Sequence, residues 1–401
     1  MPEAVIVSTA RSPIGRAMKG SLVECRPDDL GTSVVKAALE QVPQLDPQTV
    51  DDLIMGCGQP AGESGFNVAR VTALLAGMPD VPGVTVNRYC SSSLQSIRMA
   101  AHAIRSGEGD AFVAAGVETV SRYGNGFADG GPHHPAFAEA EARTAERSNG
   151  AESWEPPRDH LPDIYIAMGQ TAENVRLAEK VSRQEMDEFA ALSQQRAVAN
   201  QENGYWDGEI IPITTPSGAV VAKDDGPRPG TTAEKLAELK PAFRPDGEVT
   251  AGNSCPLNDG AAAVIVMSET KAAELGIQPL ARIVSSGVTG LNPEIMGLGP
   301  VEASRQALRR AGMSIDDIDL VELNEAFAAQ VIPSARHLGI PWDKLNVKGG
   351  AIALGHPFGQ TGARIMTTLI HALQDEDMTF GLETMCVGGG QGMAMVIERT
   401  S

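Results

Sequence analysis

The sequence predicts an α/β protein built from two related halves with a long insertion between them. Three observations carry this. Short β-branched runs bounded by glycine alternate with helical patterns, a helix–strand unit recurs late in the chain, and the texture changes abruptly near residue 121. The strand-like runs are residues 4–9, 53–55, 84–87, 111–115, 264–267, 282–287, 319–323 and 393–398. Helical patterns fall at 30–41, 68–76, 91–106, 301–311 and 360–373. Strands that alternate with helices in this way imply a sheet covered by helices.

The recurring unit is specific. Val35-Lys36-Ala37-Ala38-Leu39 precedes Val50-Asp51-Asp52-Leu53-Ile54-Met55, and Arg305-Gln306-Ala307-Leu308 precedes Ile318-Asp319-Leu320-Val321-Glu322-Leu323 after nearly the same gap. A reactive side chain follows each unit at a strand–helix junction, Cys90 in the first and His356 in the second. The expected boundaries are residues 1–120 with 258–278 for the N-terminal half, 121–257 for an inserted loop domain, and 279–401 for the C-terminal half. Within the insertion, 121–163 reads as a surface excursion, 172–201 as one helical stretch, and 223–245 as a loop of the kind that covers a site.

Bulk properties exclude several function classes. A formal charge of -19 argues against nucleic-acid binding and anionic membranes, and obliges any anionic substrate to find a local basic patch. Five cysteines with no C-x-x-C pair fit reduced thiols better than a disulfide framework. The N-terminus has no secretory pattern, and no apolar run approaches the ~18 residues that span a bilayer. A cytoplasmic protein is expected.

Four segments carry chemistry. Cys90, in Val86-Asn87-Arg88-Tyr89-Cys90-Ser91-Ser92-Ser93, falls where a helix begins, and amides there can stabilise a thiolate. A buried structural cysteine is the plainer alternative. His356, in Gly355-His356-Pro357, suits a loop histidine aimed into a cleft. Cys386 opens Cys386-Val387-Gly388-Gly389-Gly390-Gln391-Gly392, which can present a backbone amide to a developing negative charge or simply turn sharply. It lacks the lysine of a P-loop and the spacing of a dinucleotide site. In Glu322-Leu323-Asn324-Glu325-Ala326-Phe327, Asn324 reads as a helix cap or as a water ligand, and Glu325 as a first-turn acid.

Together these segments resemble the thiolase family. The likeness extends through Ala10-Arg11-Ser12-Pro13-Ile14-Gly15, Ala115-Gly116-Val117-Glu118-Thr119, Met168-Gly169-Gln170-Thr171-Ala172-Glu173-Asn174, and Ala251-Gly252-Asn253-Ser254 leading to Asn258-Asp259-Gly260. The resemblance implies a five-layered αβαβα core of two duplicated βαβαβαββ halves. It implies an acyltransferase in which Cys90 is the nucleophile that carries the acyl thioester, His356 the base, and Cys386 the acid and base at carbon. Asn324 would hold a water that, with His356, faces the enolate oxygen. The backbone amides of Cys90 and Gly388 would form the other oxyanion hole. Arg228, Ser254 and Met168, with Leu236, Phe243, Phe327 and Met296, would line the path of coenzyme A.

Coenzyme A is then a substrate, with no covalently bound cofactor and no metal. The expected partners are CoA thioesters, a second copy or a tetramer of the chain, and a hydratase or dehydrogenase subunit of β-oxidation. The reaction implied is cleavage of 3-ketoacyl-CoA to acetyl-CoA and a shortened acyl-CoA, with condensation of two acetyl-CoA as the alternative. Ala167 stands where short-chain biosynthetic members carry a histidine, and Cys255 adds a third sulfur. A decarboxylating ketoacyl synthase would lack the second cysteine. A CoA-binding scaffold would have no use for Cys90, His356, Asn324 and Cys386 together.

Overall fold

Alternate side chains along each long strand point into two different apolar layers, and this alternation builds the molecule. The computed structural model describes residues 2–126, 128–150, 154–155 and 159–401. Residues 127, 151–153 and 156–158 of the expected insertion lie outside the described residues.

The first half runs β1 (Ala4–Arg11), β2 (Gly15–Arg16), α1 (Pro27–Glu40), β3 (Asp52–Gly56), α2 (Val68–Leu75), β4 (Gly83–Val86), α3 (Ser92–Ser106) and β5 (Ala111–Thr119). The segment that follows carries α4 (Ala138–Arg147), α5 (Met168–Glu179), α6 (Arg183–Glu202), β6 (Ile213–Thr214), β7 (Val220–Val221) and α7 (Ala233–Ala237). Then come β8 (Asn258–Ser268), α8 (Glu269–Leu275), β9 (Ala281–Gly290), α9 (Gly299–Ala311), β10 (Leu320–Leu323), α10 (Ala328–Leu338), α11 (Ala351–Leu354), α12 (Thr361–Asp375), β11 (Phe380–Val387) and β12 (Gln391–Arg399).

The two halves pair their strands in the same order. β3 lies parallel to β4 and β5, and β8 runs antiparallel to β5 and β1. In the second half Val321 bridges Leu345 in parallel, β10 is parallel to β11, and β12 is antiparallel to β11 and β9. The helix–strand match in the sequence thus marks α1–β3 and α9–β10 as equivalent. The halves join edge to edge where Val5 and Ile6 of β1 pair with Arg282 and Ala281 of β9.

Three apolar clusters separate the five layers. Val5, Leu53, Met55 and Val113 face Leu30 and Val34 of α1 on one outer side. Val321, Leu323, Leu382 and Val396 face Ala303 of α9 and Val331 of α10 on the other. Between the sheets, Leu94 and Ile97 of α3 lie in one cluster with Ile365, Met366 and Leu369 of α12, covered by Ile6, Ile54, Met385 and Met395. Each such side chain, fully buried, contributes about 1.5–3 kcal/mol.

Three expectations need correction. The stretch 172–201 is part of two helices: Lys180 turns left-handed at φ 54°, and Ser182 starts α6 with a capping box to Glu185. β11 was absent from the predicted strands because Gly381 and Glu383 interrupt its apolar pattern. The excursion 121–163 is more than surface. Its α4 and its end are pinned by one buried carboxylate, as Arg147, Trp154 Nε1 and the Asp163 amide all donate to Glu294 at 3.1, 2.7 and 2.9 Å.

Glu322 of β10 and Glu383 of β11 are register partners, both fully buried against α12. The Arg364 guanidinium lies 4.0 Å from Glu322. Burial, aided by Glu325 and Glu209 and opposed by Arg364, pushes Glu322 up to about 8, and burial holds Glu383 well above its usual range. A raised folded pKa gives stability that is full below the unfolded value near 4.5 and lost as pH rises through 8. The melting temperature should therefore lose this contribution between pH 5 and 8, and Glu322→Gln should flatten that part of the profile in thermal melts at the two pH values.

Candidate active site

The chain presents Cys90 on a strained elbow. β4 ends at Val86, and Tyr89 takes φ 41°, uncommon for a residue with a side chain. The Asn87 carboxamide oxygen accepts the Tyr89 amide at 2.8 Å and supports the turn. A 3-10 turn over Tyr89–Ser91 then leads into α3. The backbone amides of Gly388 and of Cys90 itself both favour the ionised form of the thiol, so the two donors expected of an oxyanion hole act on one sulfur. Burial nevertheless outweighs them and pushes Cys90 up to about 11. The thiolate expected from the helix terminus is not the resting state, because Cys90 itself is buried and desolvation exceeds the dipole's pull.

His356 sits in the loop between α11 and α12. The Asn258 carboxamide accepts its backbone amide at 2.9 Å. Thr361 fixes the ring: its hydroxyl donates to Pro357 O at 2.7 Å and so accepts from Nδ1–H at 2.6 Å. Nε2 is left with its lone pair, towards which Asn324 Nδ2 donates at 3.2 Å. Burial, with Arg364 adding to it, lowers His356 to about 3. At neutral pH it is an uncharged imidazole ready to take a proton. The loop docks closely on the first half, since a Cβ at Gly116 would lie 2.0 Å from Gly359 O, so a side chain there would push the loop away. Glu118 holds the same junction, accepting from the amides of Gly58, Gln59 and Gly359 at 2.7, 3.2 and 2.9 Å.

Cys386 ends β11 in full burial, which raises its thiol well above the ordinary range, with Cys90 and Cys255 adding to the effect. Three sulfurs are thus within electrostatic reach of one another. Gly389 and Gly390, both at φ 76°, turn β11 into β12 and leave Gly388 facing Tyr89. Arg88 spans the halves, donating to Gln95 Oε1 at 3.1 Å and to Gln391 Oε1 at 2.7 Å, and so aligns the elbow with the hairpin that holds Gly388.

Asn324 and Glu325 cap no helix of their own, because α10 begins only at Ala328. Asn324 turns to His356, and its buried Oδ1 has no protein partner. Glu325 accepts from Ser193, Asn346 and the Ile352 amide at 2.6, 2.8 and 3.1 Å, and so anchors α11 ahead of His356. These long-range partners, with Asn258, Thr361 and Glu118, escaped the sequence reading. Asn258 and Glu118 stood inside quoted motifs but with no visible task.

The remaining expected residues divide. Met168 lines a cavity of about 390 Å³ that also contains Cys90, Gly388 and Phe358, whose ring meets His356 edge-on at 5.2 Å. Arg228 and Leu236 line a separate hollow of about 50 Å³ with Arg16, and the two share no lining residue. Phe243 and Phe327 meet edge-on at 6.0 Å, and Phe327 bridges Ser254, whose hydroxyl donates to Thr250 O at 2.5 Å. Met296 lies in the apolar core beside Val331 and Ile332. Among the described residues no three His, Cys, Asp or Glu side chains gather as metal ligands, and no helix is long and apolar enough to cross a membrane.

A family model described as thiolase, N-terminal domain, matches residues 4–270, and one described as thiolase, C-terminal domain, matches residues 277–399. A 3-ketoacyl-CoA thiolase of Bacillus subtilis is 46% identical over 411 residues, covering 99% of this chain and 100% of that protein. A β-ketoadipyl-CoA thiolase of Acinetobacter baylyi is 43% identical over 410 residues, with 100% of both chains covered. The crystal structure of the Bacillus anthracis acetyl-CoA acetyltransferase matches at a TM-score of 0.85 and 42% identity, over 100% of this chain and 99% of that one.

A thiol raised to about 11, in a chain whose His356 is a neutral imidazole, sets a distinct alkylation profile. Below that pKa the thiolate fraction grows about tenfold per pH unit. Iodoacetamide labelling of the Cys90 peptide, followed by mass spectrometry, should climb steadily from pH 7 to 9 with no inflexion near 6.5. A plateau reached below pH 8 would mean that the thiol is ionised at rest.

Proposed function

The chain belongs to the thiolase family, and from that premise we propose that it cleaves 3-ketoacyl-CoA by thiolysis with Cys90 as the acyl carrier. As a thiolase it is an acyltransferase. The observation that carries the reading is the convergence of the Cys90 and Gly388 amides on one sulfur inside a cavity of about 390 Å³. That volume exceeds what an acetyl group needs and favours longer 3-ketoacyl chains over acetoacetyl-CoA.

In this scheme Cys90 Sγ attacks the 3-keto carbon and its proton passes to His356 Nε2. The oxyanion accepts the two amides, each worth roughly a hundredfold or more in rate. The C2–C3 bond then breaks, and the acetyl-CoA enolate takes the Cys386 proton at carbon. A thiol raised by burial holds its proton until so strong a base demands it. The enolate oxygen would face His356 and a water on the buried, unpartnered Oδ1 side of Asn324. Incoming CoA gives its thiol proton back to Cys386 and attacks the acyl thioester, and His356 returns its proton to Cys90.

Arg16 and Arg228 support binding of the CoA phosphates. Burial and the neighbouring Arg16 lower Arg228, and neither guanidinium has a carboxylate within ion-pair distance among the described residues. In a chain of charge -19, two adjacent unpaired arginines form the local basic patch such a substrate needs. A homo-oligomer belongs to the same proposal, supported by exposed Phe66, Leu74 and Leu75 beside the edge strand β4. So does a reducing cytoplasm, supported by five free cysteines.

Cys90→Ser should leave no acyl-enzyme in mass spectra after addition of 3-ketoacyl-CoA, and an adduct mapping to Cys386 would reverse the roles. Cys386→Ala should still acylate from an activated thioester yet slow exchange of the acetyl-CoA methyl protons at least a hundredfold, read by NMR. Arg228→Ala should raise KM for CoA roughly tenfold with a smaller change in kcat, measured by steady-state thiolysis.

A further inference from the structure

The cavity beyond Cys90 carries a charge pattern that selects among acyl groups. At about 390 Å³ it has room for an acyl chain well beyond acetyl. Ile164, Ile166, Met168 and Phe358 make much of its wall apolar. Its polar side chains include Gln59, Asp129 and His133, and among the described residues no lysine or arginine lines it.

Asp129 is held there by a dedicated clamp. Gln59, buried in the loop after β3, accepts the amides of Ala128 and Asp129 at 2.7 and 3.2 Å, while its Nε2 donates to the Asp129 carboxylate. The His133 ring is engaged as well, with Nδ1 facing Glu141 at 2.8 Å and the ring stacked flat on Tyr165 at 3.8 Å. The arginines of the covering segment are engaged elsewhere: Arg122 with Glu63, Arg143 with Leu161 O, and Arg147 with Glu294. Arg158 of that segment lies outside the described residues.

A carboxylate at the far end of an acyl chain would therefore meet the fixed, solvent-exposed like charge of Asp129 with no guanidinium among the described lining residues to offset it. From this geometry we infer that the cavity admits uncharged 3-ketoacyl chains and discriminates against those ending in a carboxylate, with Asp129, clamped by Gln59, as a specificity-determining residue. The inference rests on the reading of this cavity as the acyl site of a thiolase. It separates the chain from those relatives whose names specify ketoadipyl thioesters.

The test compares kcat/KM for thiolysis of 3-ketooctanoyl-CoA, 3-oxoadipyl-CoA and the methyl ester of 3-oxoadipyl-CoA at pH 7.5. We expect the free acid to trail the octanoyl substrate by about tenfold, and the uncharged ester to recover most of that gap. Asp129→Asn should narrow the ratio of ester to acid about fivefold. Equal rates on acid and ester, or an unchanged ratio in Asp129→Asn, overturns the inference while leaving thiolysis standing. Absence of thiolysis on all three substrates overturns the underlying assignment instead.

Discussion

The Ser93 hydroxyl in the first turn of α3 accepts the Ala363 amide in the first turn of α12 at 2.9 Å, and Gly362 leaves no room for a side chain against the Leu94 backbone. Much of the structure depends on this meeting of two helix starts. Both helices are locked into the middle layer by Leu94, Ile97, Ile365 and Leu369. Cys90 lies just before one helix and His356 a few residues before the other, so this packing sets where the segments that carry sulfur and imidazole sit. Two helix N-termini aimed at the same point also favour negative charge there. The resting site carries none, because burial keeps Cys90 protonated and His356 neutral.

The duplication explains why each half supplies a different part. The first contributes the sulfur on an elbow, and the second contributes the imidazole loop and, from the β11–β12 hairpin, Cys386 and Gly388. Arg88, reaching Gln391 across the junction, and Glu118, reaching Gly359, register the two contributions against each other. Such links cost a buried charge each, and partners on both sides offset that cost. The insertion adds what neither half has, Met168 beside the nucleophile and the Asp129 turn above it.

Much of this was legible in the chain. Glycine-bounded β-branched runs marked eight strands, and small residues around Cys90 and His356 marked the elbow and the loop. What stayed hidden depends on distance in sequence or on solvent. The strand that carries Cys386 was invisible because Glu383 occupies a buried position, a choice that makes sense only beside Glu322 and Arg364. Glu325 looked like a first-turn acid, yet it binds Ser193 and Ile352 far along the chain. The direction of the Cys90 shift could not be read either, since a helix start and burial pull a thiol oppositely and only the packed structure shows which is larger.

The division of the site between halves also bears on how the protein reaches its working form. Most pairings within each half are local or nearly so, but the first sheet closes only when β8 returns after the long insertion, and the sheets share just two residue pairs between β1 and β9. Contacts so distant in sequence form late, because their loop-closure entropy must be met before they repay it. Helical and sheet content can therefore be nearly complete in a chain whose sulfur and imidazole have not yet met. Recovery of activity becomes a sensor of the last docking event, and a folding intermediate with one half formed is chemically silent rather than partly active.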